Sequence, residues 1–290
     1  MRLFSYRNRP VHMGPYPSER LLRTAESSFN GLPASAQLIV ATDDEPTSIL
    51  HAVDDYRSIL DAVRDGPANP VAAEIPDCPE ERANNLKAFC YFLDTTFTTT
   101  CSITPDLWLE NSYRHPRIDE WYRKCDEAAT RPTPPAVEMA LGRIGMAANA
   151  CQQDVSHHTH AIVLGVEFPR DPRPDEPGTK WVQGMQPHRA SLRAAETATA
   201  LAAYLRILGF DARVHSGTSA DIDMGRAAVA SGMASVEDGK LNNPYVGDRF
   251  GLAVVTTTLE IAADLPLSMQ AKAAGGPAWW FGLGTQKNAF

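Results

Sequence analysis

Apolar side chains follow helical spacing most clearly in the stretch Ala190–Leu208. One face of this stretch carries Leu201, Tyr204, Leu205 and Leu208, at positions i, i+3, i+4 and i+7. Gly209 follows directly, where a left-handed C-terminal cap favours glycine. The next residues, Phe210–Val214, have the composition of a short strand. The pattern therefore predicts a helix, a glycine stop and a strand in quick succession.

Two earlier stretches also have helical periodicity. In Pro46–Arg64 the recurring apolar residues are Ile49, Val53, Tyr56, Ile59, Leu60 and Val63, and the candidate N-caps are Thr42, Asp43 and Asp44. In Pro79–Phe97 they are Leu86, Phe89, Cys90 and Leu93. Both stretches predict helices.

Strands are predicted where apolar and β-branched residues run together. The strongest candidates are Ala161–Phe168 and Arg249–Thr258, and Gln37–Ala41 is a shorter one. A small-residue helix is predicted over Gly225–Ala230. The alternation of helices and strands from residue 190 to 267 favours a parallel-type α/β unit.

A proline cluster predicts the main boundary of the chain. Arg131–Pro135 contains three prolines in four residues, which stop a helix and form a semi-rigid spacer. We therefore expect a mainly helical segment over 1–135 and an α/β core over 136–290, with a helix resuming at Ala136–Gln152.

Composition excludes several functional classes. The net charge of −8 over 290 residues lacks the clustered Lys and Arg of a nucleic-acid footprint. No window approaches the length of apolar sequence that a membrane span needs, and residues 1–9 lead into no signal-peptide core. We expect a cytoplasmic protein that has no nucleic-acid partner and no membrane span.

The cysteines and histidines give a weak indication of a metal site. Five widely spaced cysteines favour free thiols over disulfides or a zinc or iron–sulfur centre. A cluster before the strand at 161 offers metal-ligating side chains, namely Cys151, Asp154, His157, His158 and His160. Because polar residues are common at a strand edge, we assign no metal site here. The carboxylates Asp221 and Asp223 are expected to be solvated on a loop.

A set of short motifs lies in order between Ala161 and Leu267. After the strand at 161 come Tyr204–Arg213, then Ser231-Gly232-Met233-Ala234, then Asn243–Thr257, and finally Asp264-Leu265-Pro266-Leu267. Their order and spacing resemble the corrinoid-binding core of reductive dehalogenases and of the related epoxyqueuosine reductases. The resemblance covers a little over a third of the chain.

The resemblance implies an α/β fold, an α+β sandwich with a nitroreductase-like core that binds cobalamin, followed by two four-iron clusters. It also implies a small organic substrate and an electron donor, either a C-terminal Fe–S segment or a separate protein; a homodimer is a further prediction. Two loops after strand ends are the predicted cofactor contacts: His215, Ser216, Gly217, Thr218, Asn243, Tyr245, Gly247 and Arg249. No catalytic residue is assigned.

The chain departs from the family pattern in two places. The glycine-rich motif is degraded to Ser231–Ala234, and no cysteine follows Cys151 to ligate an iron–sulfur cluster. We therefore expect the N-terminal portion of a longer oxidoreductase, carrying the degenerate or cofactor-poor copy of the core, with the clusters beyond Phe290.

Two alternatives stay open. One is a non-catalytic structural or dimerisation module of the same fold, in which the two predicted loops close over a filled core. The other is a flavin-binding nitroreductase-like enzyme, which would need a basic phosphate pocket. Its candidates are Arg2, Arg7 and Arg9.

Overall fold

A computed structural model describes residues 9–33, 47–129 and 154–268, together with Gly142 and Gly145. Its helices are α1 (Ile49–Ala62), α2 (Pro79–Phe92), α3 (Ile118–Ala129), α4 (Thr179–Val182), α5 (Gln186–Ile207) and α6 (Met224–Ala230). Its strands are β1 (Phe97–Ser102), β2 (Trp108–Tyr113), β3 (His160–Glu167), β4 (Ala212–His215), β5 (Ala220–Ile222), β6 (Ser235–Glu237), β7 (Lys240–Asn242) and β8 (Phe250–Thr257). The predicted strand at 37–41 and boundary at 131–135 lie outside the described residues, and so does the predicted helix at 136–152 apart from Gly142 and Gly145.

The core is a four-stranded sheet in the order β1-β3-β8-β4, in which every neighbouring pair is antiparallel. β3 pairs with β8 along its whole length, from His160 opposite Thr257 to Glu167 opposite Phe250. Both strands were predicted from their apolar runs. Most of their residues are fully buried, as the sequence indicated.

The parallel-type unit predicted over 190–267 is wrong, because its two strands, β4 and β8, pair antiparallel. Since β3 and β4 are each antiparallel to β8, they run in the same direction, and the chain connects them through α5. However, β8 lies between them, so the two parallel strands are not neighbours. Sequence order could not reveal that a strand some 35 residues after β4 is inserted at this position.

The sheet separates two apolar clusters. On one face, α5 and α2 pack through small and branched residues, including Ala198, Leu201 and Leu205, onto Ile162 and Val255. On the other face, α6 and the segment around Tyr16 cover a second cluster. Alternation of side chains along each strand supplies both clusters at once.

Helix α1 is present as predicted, but it begins later and buries a polar face. Its N-cap is Ser48, whose side chain accepts from the Leu50 N–H at 3.3 Å, so the predicted caps at 42–44 are wrong. Tyr56 and Ile59 of the apolar stripe are 45% and 38% exposed. The buried side chains are instead Asp54, Arg57, Ser58, Asp61 and Ala62.

Helix α2 ends five residues before its predicted end. Asp94 takes a left-handed backbone conformation, with φ of 73°, and this stops the helix. The chain then enters β1, which the sequence did not predict. β1 falls in the first predicted segment and pairs with β3 of the second, so both segments contribute to one sheet. The division into two units stays a prediction.

Two of the resemblance motifs contact each other. Gly232 has φ of +67°, and a Cβ there would collide with the Leu265 carbonyl oxygen. Arg23 donates to the carbonyl oxygens of both residues, at 2.9 and 2.8 Å. Asp264 accepts from the Thr100 N–H of β1 at 2.9 Å and pairs with Lys87 at 2.7 Å. Both motifs therefore lie beside β1, at the edge of the central sheet, and bond to its residues.

Candidate functional site

The first predicted cofactor loop, which follows β4, surrounds one buried carboxylate. Ser216, Thr218 and Ser219 each donate a hydroxyl to Asp61 of α1, at 2.7, 2.5 and 2.9 Å. These four side chains are at most 1% exposed. Burial raises the pKa of Asp61, while the hydroxyl donors and the Arg64 charge oppose that shift. The loop is thus fixed to α1 by a fully buried hydrogen-bond network.

Two arginines and two carboxylates extend this network. Arg213 of β4 donates through Nε to Asp65 Oδ2 at 2.5 Å, and Arg64 donates through Nη2 to Asp221 Oδ2 at 3.3 Å. Burial opposes ionisation of Asp221, but nearby positive charge, chiefly that of Arg64, brings its pKa below the usual value. The predicted solvation of Asp221 and Asp223 is wrong. The Asp221 side chain is 13% exposed and lies in β5, while Asp223 is 3% exposed and caps α6.

His215 connects the network to the centre of the sheet. Its Nδ1 accepts from the Asp221 N–H at 3.1 Å, and its Nε2 lies 2.9 Å from Thr256 Oγ1. Burial lowers the pKa of His215 to about 3, so the ring is neutral near pH 7. With Nδ1 accepting, the ring proton is on Nε2 and is donated to Thr256. Both ring nitrogens of this predicted cofactor ligand are therefore occupied.

The second predicted loop lies against the N-terminal segment. Asn243 and Gly247 exchange two backbone hydrogen bonds of 2.8 Å, and Gly247 has φ of +68°, which favours glycine. The Asn243 amide donates to the Met233 carbonyl at 2.7 Å and its Oδ1 accepts from the Tyr245 N–H at 2.9 Å. The Tyr245 hydroxyl donates to the Pro17 carbonyl at 2.9 Å.

The two loops therefore have different surroundings, and their side chains already have partners. Ser216 and Thr218 are bound to Asp61, while Asn243 and Tyr245 are bound to backbone groups. Gly217 is buried, and Arg249 is exposed at the start of β8. Corrinoid contact at these residues stays a prediction.

The predicted histidine cluster is partly brought together, with a ligand that the sequence did not indicate. His157 Nε2 and His158 Nε2 lie 2.9 and 3.3 Å from Asp211 Oδ2. Asp154 instead bonds Ser156, His160 bonds Thr159, and Cys151 lies outside the described residues. The Asp211 pKa is lowered to about 2, mainly by the His158 hydrogen bond and despite burial. Asp211 was missed because it is 53 residues from His158.

The described thiols are free, as the cysteine spacing predicted: Cys78, Cys90, Cys101 and Cys125. Burial raises the pKa of both Cys90 and Cys101 to about 12, which keeps these thiols protonated and unreactive. Within the described ranges, no helix combines the length and apolar character needed to cross a membrane.

Comparisons with known proteins give matches among solved structures. No protein-family model matches the chain, and no curated protein matches it. A structure of the "catabolic reductive dehalogenase NpRdhA" is 34% identical with a TM-score of 0.67, and the match covers 92% of this chain and 32% of that one. A structure of NpRdhA in complex with 3-bromo-4-hydroxybenzoic acid is 33% identical with a TM-score of 0.70, covering 98% and 34%.

A further structure, described as suggesting "a mechanism for B12-dependent dehalogenation", is 32% identical with a TM-score of 0.69 and coverage of 98% and 34%. An epoxyqueuosine reductase, by contrast, is 9% identical with a TM-score of 0.39, which is too low to support a conclusion. The chain has a reductive dehalogenase-like fold, and the α/β fold expected from its sequence is confirmed. It spans about a third of the length of the dehalogenase chains that it matches.

Proposed function

We propose that this chain is the N-terminal portion of a cobalamin- and Fe–S-dependent reductive dehalogenase-like oxidoreductase. Within that larger protein it is the degenerate copy of the corrinoid-binding core and serves as a structural module. Cobalamin supplies the bond-breaking redox chemistry in such enzymes. In this proposal the corrinoid and the iron–sulfur clusters are held elsewhere in the longer polypeptide.

The observation that carries the proposal is the closed state of the loop at 215–219. Its three hydroxyls are bound to Asp61, and removing them to bind a ligand would leave a buried carboxylate without donors. The degraded motif at Ser231–Ala234 also supports a structural role. Gly232 contacts Leu265, and Ser231 accepts from Thr99 at 2.7 Å. These residues have structural partners within the chain.

The flavin alternative gains no support from the one candidate cation that is described. Arg9 donates to both carboxylate oxygens of Glu19, at 3.0 and 3.1 Å, and to the carbonyl oxygens of Met13, Gly14 and Tyr16. All of these bonds of the Arg9 guanidinium are to groups of the N-terminal segment, within residues 13–19. Arg2 and Arg7 lie outside the described residues.

An anaerobic cobalamin titration, read by visible absorbance, tests the proposal. We expect the folded 290-residue chain to show no saturable change in the cobalt spectrum, and the longer parent polypeptide to take up one corrinoid. Circular dichroism of the same sample confirms that the chain is folded.

Saturable binding by the chain itself would overturn the assignment as a degenerate copy. In that case Arg249→Ala, at an exposed position beside the second loop, should weaken binding, whereas Arg193→Ala on the exposed face of α5 should not. Failure of the parent to bind corrinoid would overturn the proposed oxidoreductase as a whole.

A further inference from the structure

Three metal-ligating side chains meet at one end of the central sheet. β3 and β4 both run antiparallel to β8, so both begin beside the last residues of β8. His157 and His158 lie just before β3, and Asp211 lies just before β4. The sheet topology therefore brings two distant parts of the chain together.

Backbone hydrogen bonds fix the positions of these residues. Thr159 N–H donates to the Thr257 carbonyl at 3.1 Å, which anchors the chain directly after the histidines. Asp211 N–H donates to Thr258 Oγ1 at 3.1 Å, and Thr258 N–H donates back to the Asp211 carbonyl at 3.1 Å. Both sides of the cluster are thus held on the end of β8, as a preorganised site requires.

The separations of the candidate ligand atoms fit one small cation. Asp211 Oδ2 is 2.9 Å from His157 Nε2 and 3.3 Å from His158 Nε2, and one ligand atom from each residue falls within 4.8 Å of the other two. Tetrahedral zinc with bonds of about 2.0–2.2 Å separates its ligand atoms by roughly 3.3–3.6 Å. Small side-chain rotations would reach that geometry.

A contact between Nδ1 and Thr256 orients the His158 ring, so that its Nε2 points toward Asp211. The ring is fully buried, and Nδ1 lies 2.8 Å from Thr256 Oγ1. Nε2 is also buried, and it lies 3.3 Å from Asp211 Oδ2. A metal-bound His158 would carry its proton on Nδ1 and donate it to Thr256, the usual outer-shell arrangement of a histidine ligand.

We propose that His157, His158 and Asp211 form a binding site for a divalent transition-metal cation. Two imidazoles and one carboxylate suit Zn²⁺ or Fe²⁺, and they leave coordination positions for water. The His157 side chain is 51% exposed and the Asp211 side chain is 30% exposed, so the cation can enter from solvent. The bound metal ties the start of β3 to the start of β4.

To test the site, the full chain is first treated with a chelator to remove bound metal. It is then titrated with Zn²⁺ in a calorimeter. We expect one Zn²⁺ per chain at this site, and at least a tenfold loss of affinity for both His157→Ala and Asp211→Asn. His160→Ala is the matched control, because His160 is a half-buried histidine of the same segment that bonds Thr159 instead of the cluster. Its affinity should equal that of the unmodified chain.

Cobalt binding gives an independent readout of geometry. Co²⁺ in the unmodified chain should give visible absorption bands of a four- or five-coordinate ion, and these bands should be lost in Asp211→Asn. Thermal unfolding without metal identifies any variant that fails to fold, and His157→Ala, at an exposed position, provides a second test if Asp211→Asn is unstable. No saturable Zn²⁺ binding, or equal affinity of both variants and the unmodified chain, would overturn the proposal.

Discussion

Helices α1 and α5 pack against each other, but they bury opposite kinds of surface. The buried face of α5 is built mainly from alanine and leucine, with Ala194, Ala198, Leu201 and Leu205 against the sheet. The buried face of α1 carries Asp54, Arg57 and Asp61 instead. Apolar burial stabilises α5 through the hydrophobic effect, whereas buried charge on α1 is tolerated because each group meets partners from another element.

The comparison shows that periodicity locates a helix better than it orients one. Both helices have an apolar stripe, and in α5 the stripe at Leu201 and Leu205 faces the core. In α1, Tyr56 and Ile59 of the stripe face outward, because the partners of Asp61 lie on the loop after β4. An ion-pair and hydroxyl network can therefore override the direction that the hydrophobic pattern favours.

The largest expected effect is that of Asp61→Ala. The substitution removes the acceptor of three buried hydroxyls, so we expect the free energy of unfolding to fall by about 3–5 kcal/mol. Urea denaturation of the chain measures it. Asp55→Ala is the control, since the Asp55 side chain is 60% exposed and its ion pair with Arg117 is on the surface. If Asp61→Ala and Asp55→Ala lowered the free energy of unfolding equally, the buried network would not be what stabilises α1.

On α5, Leu201→Ala should lower the free energy of unfolding by about 3 kcal/mol. Leu201 is fully buried, and truncation leaves a cavity against the sheet. Ile207→Ala on the same helix is the control, because Ile207 is 65% exposed and should change stability by less than about 0.5 kcal/mol. A loss for Ile207→Ala as large as that for Leu201→Ala would mean that α5 buries a different face.

The pH dependence of the free energy of unfolding tests the buried state of His215. Its pKa is about 3 in the folded chain and about 6.5 when unfolded, so between these pH values the unfolded chain binds the extra proton. The free energy of unfolding should therefore fall as pH decreases from 6.5, by up to about 1.4 kcal/mol per unit. His215→Gln should remove this slope.

Urea denaturation of both chains from pH 7 to pH 4 measures the difference. Asp211, whose pKa is lowered to about 2, loses its stabilising ionised form mainly below pH 4 and so contributes little in this range. Parallel pH profiles for the two chains would show that His215 does not stay neutral in the folded state.

The smallest effect is expected for Ile59→Ser on the outward face of α1. Ile59 is 38% exposed, so the free energy of unfolding should change by no more than about 0.5 kcal/mol. The same urea measurement applies, with Leu201→Ser as the buried counterpart. A loss above about 2 kcal/mol would show that the apolar stripe of α1 is covered and that its inferred orientation is wrong.

The sequence by itself determined where the helices α1, α2 and α5 lie. It also determined three strands of the central sheet, β3, β4 and β8, but not β1. Local patterns specified the strands around Ala161–Phe168 and Arg249–Thr258 and the long helix before Gly209, since backbone propensity and periodic burial are properties of short segments. The same holds for the α/β class and for the resemblance to reductive dehalogenases, which depends on motif order along the chain.

The tertiary structure alone decided which elements became neighbours. β8 lies between β3 and β4 and is antiparallel to both, so the parallel-type unit predicted over 190–267 does not form. The position of β8 also placed Asp211 beside His157 and His158, and the β4–β5 turn placed three hydroxyls around Asp61. Such contacts join residues 50 to 160 positions apart, and their energies depend on burial and partner geometry, which no local pattern contains.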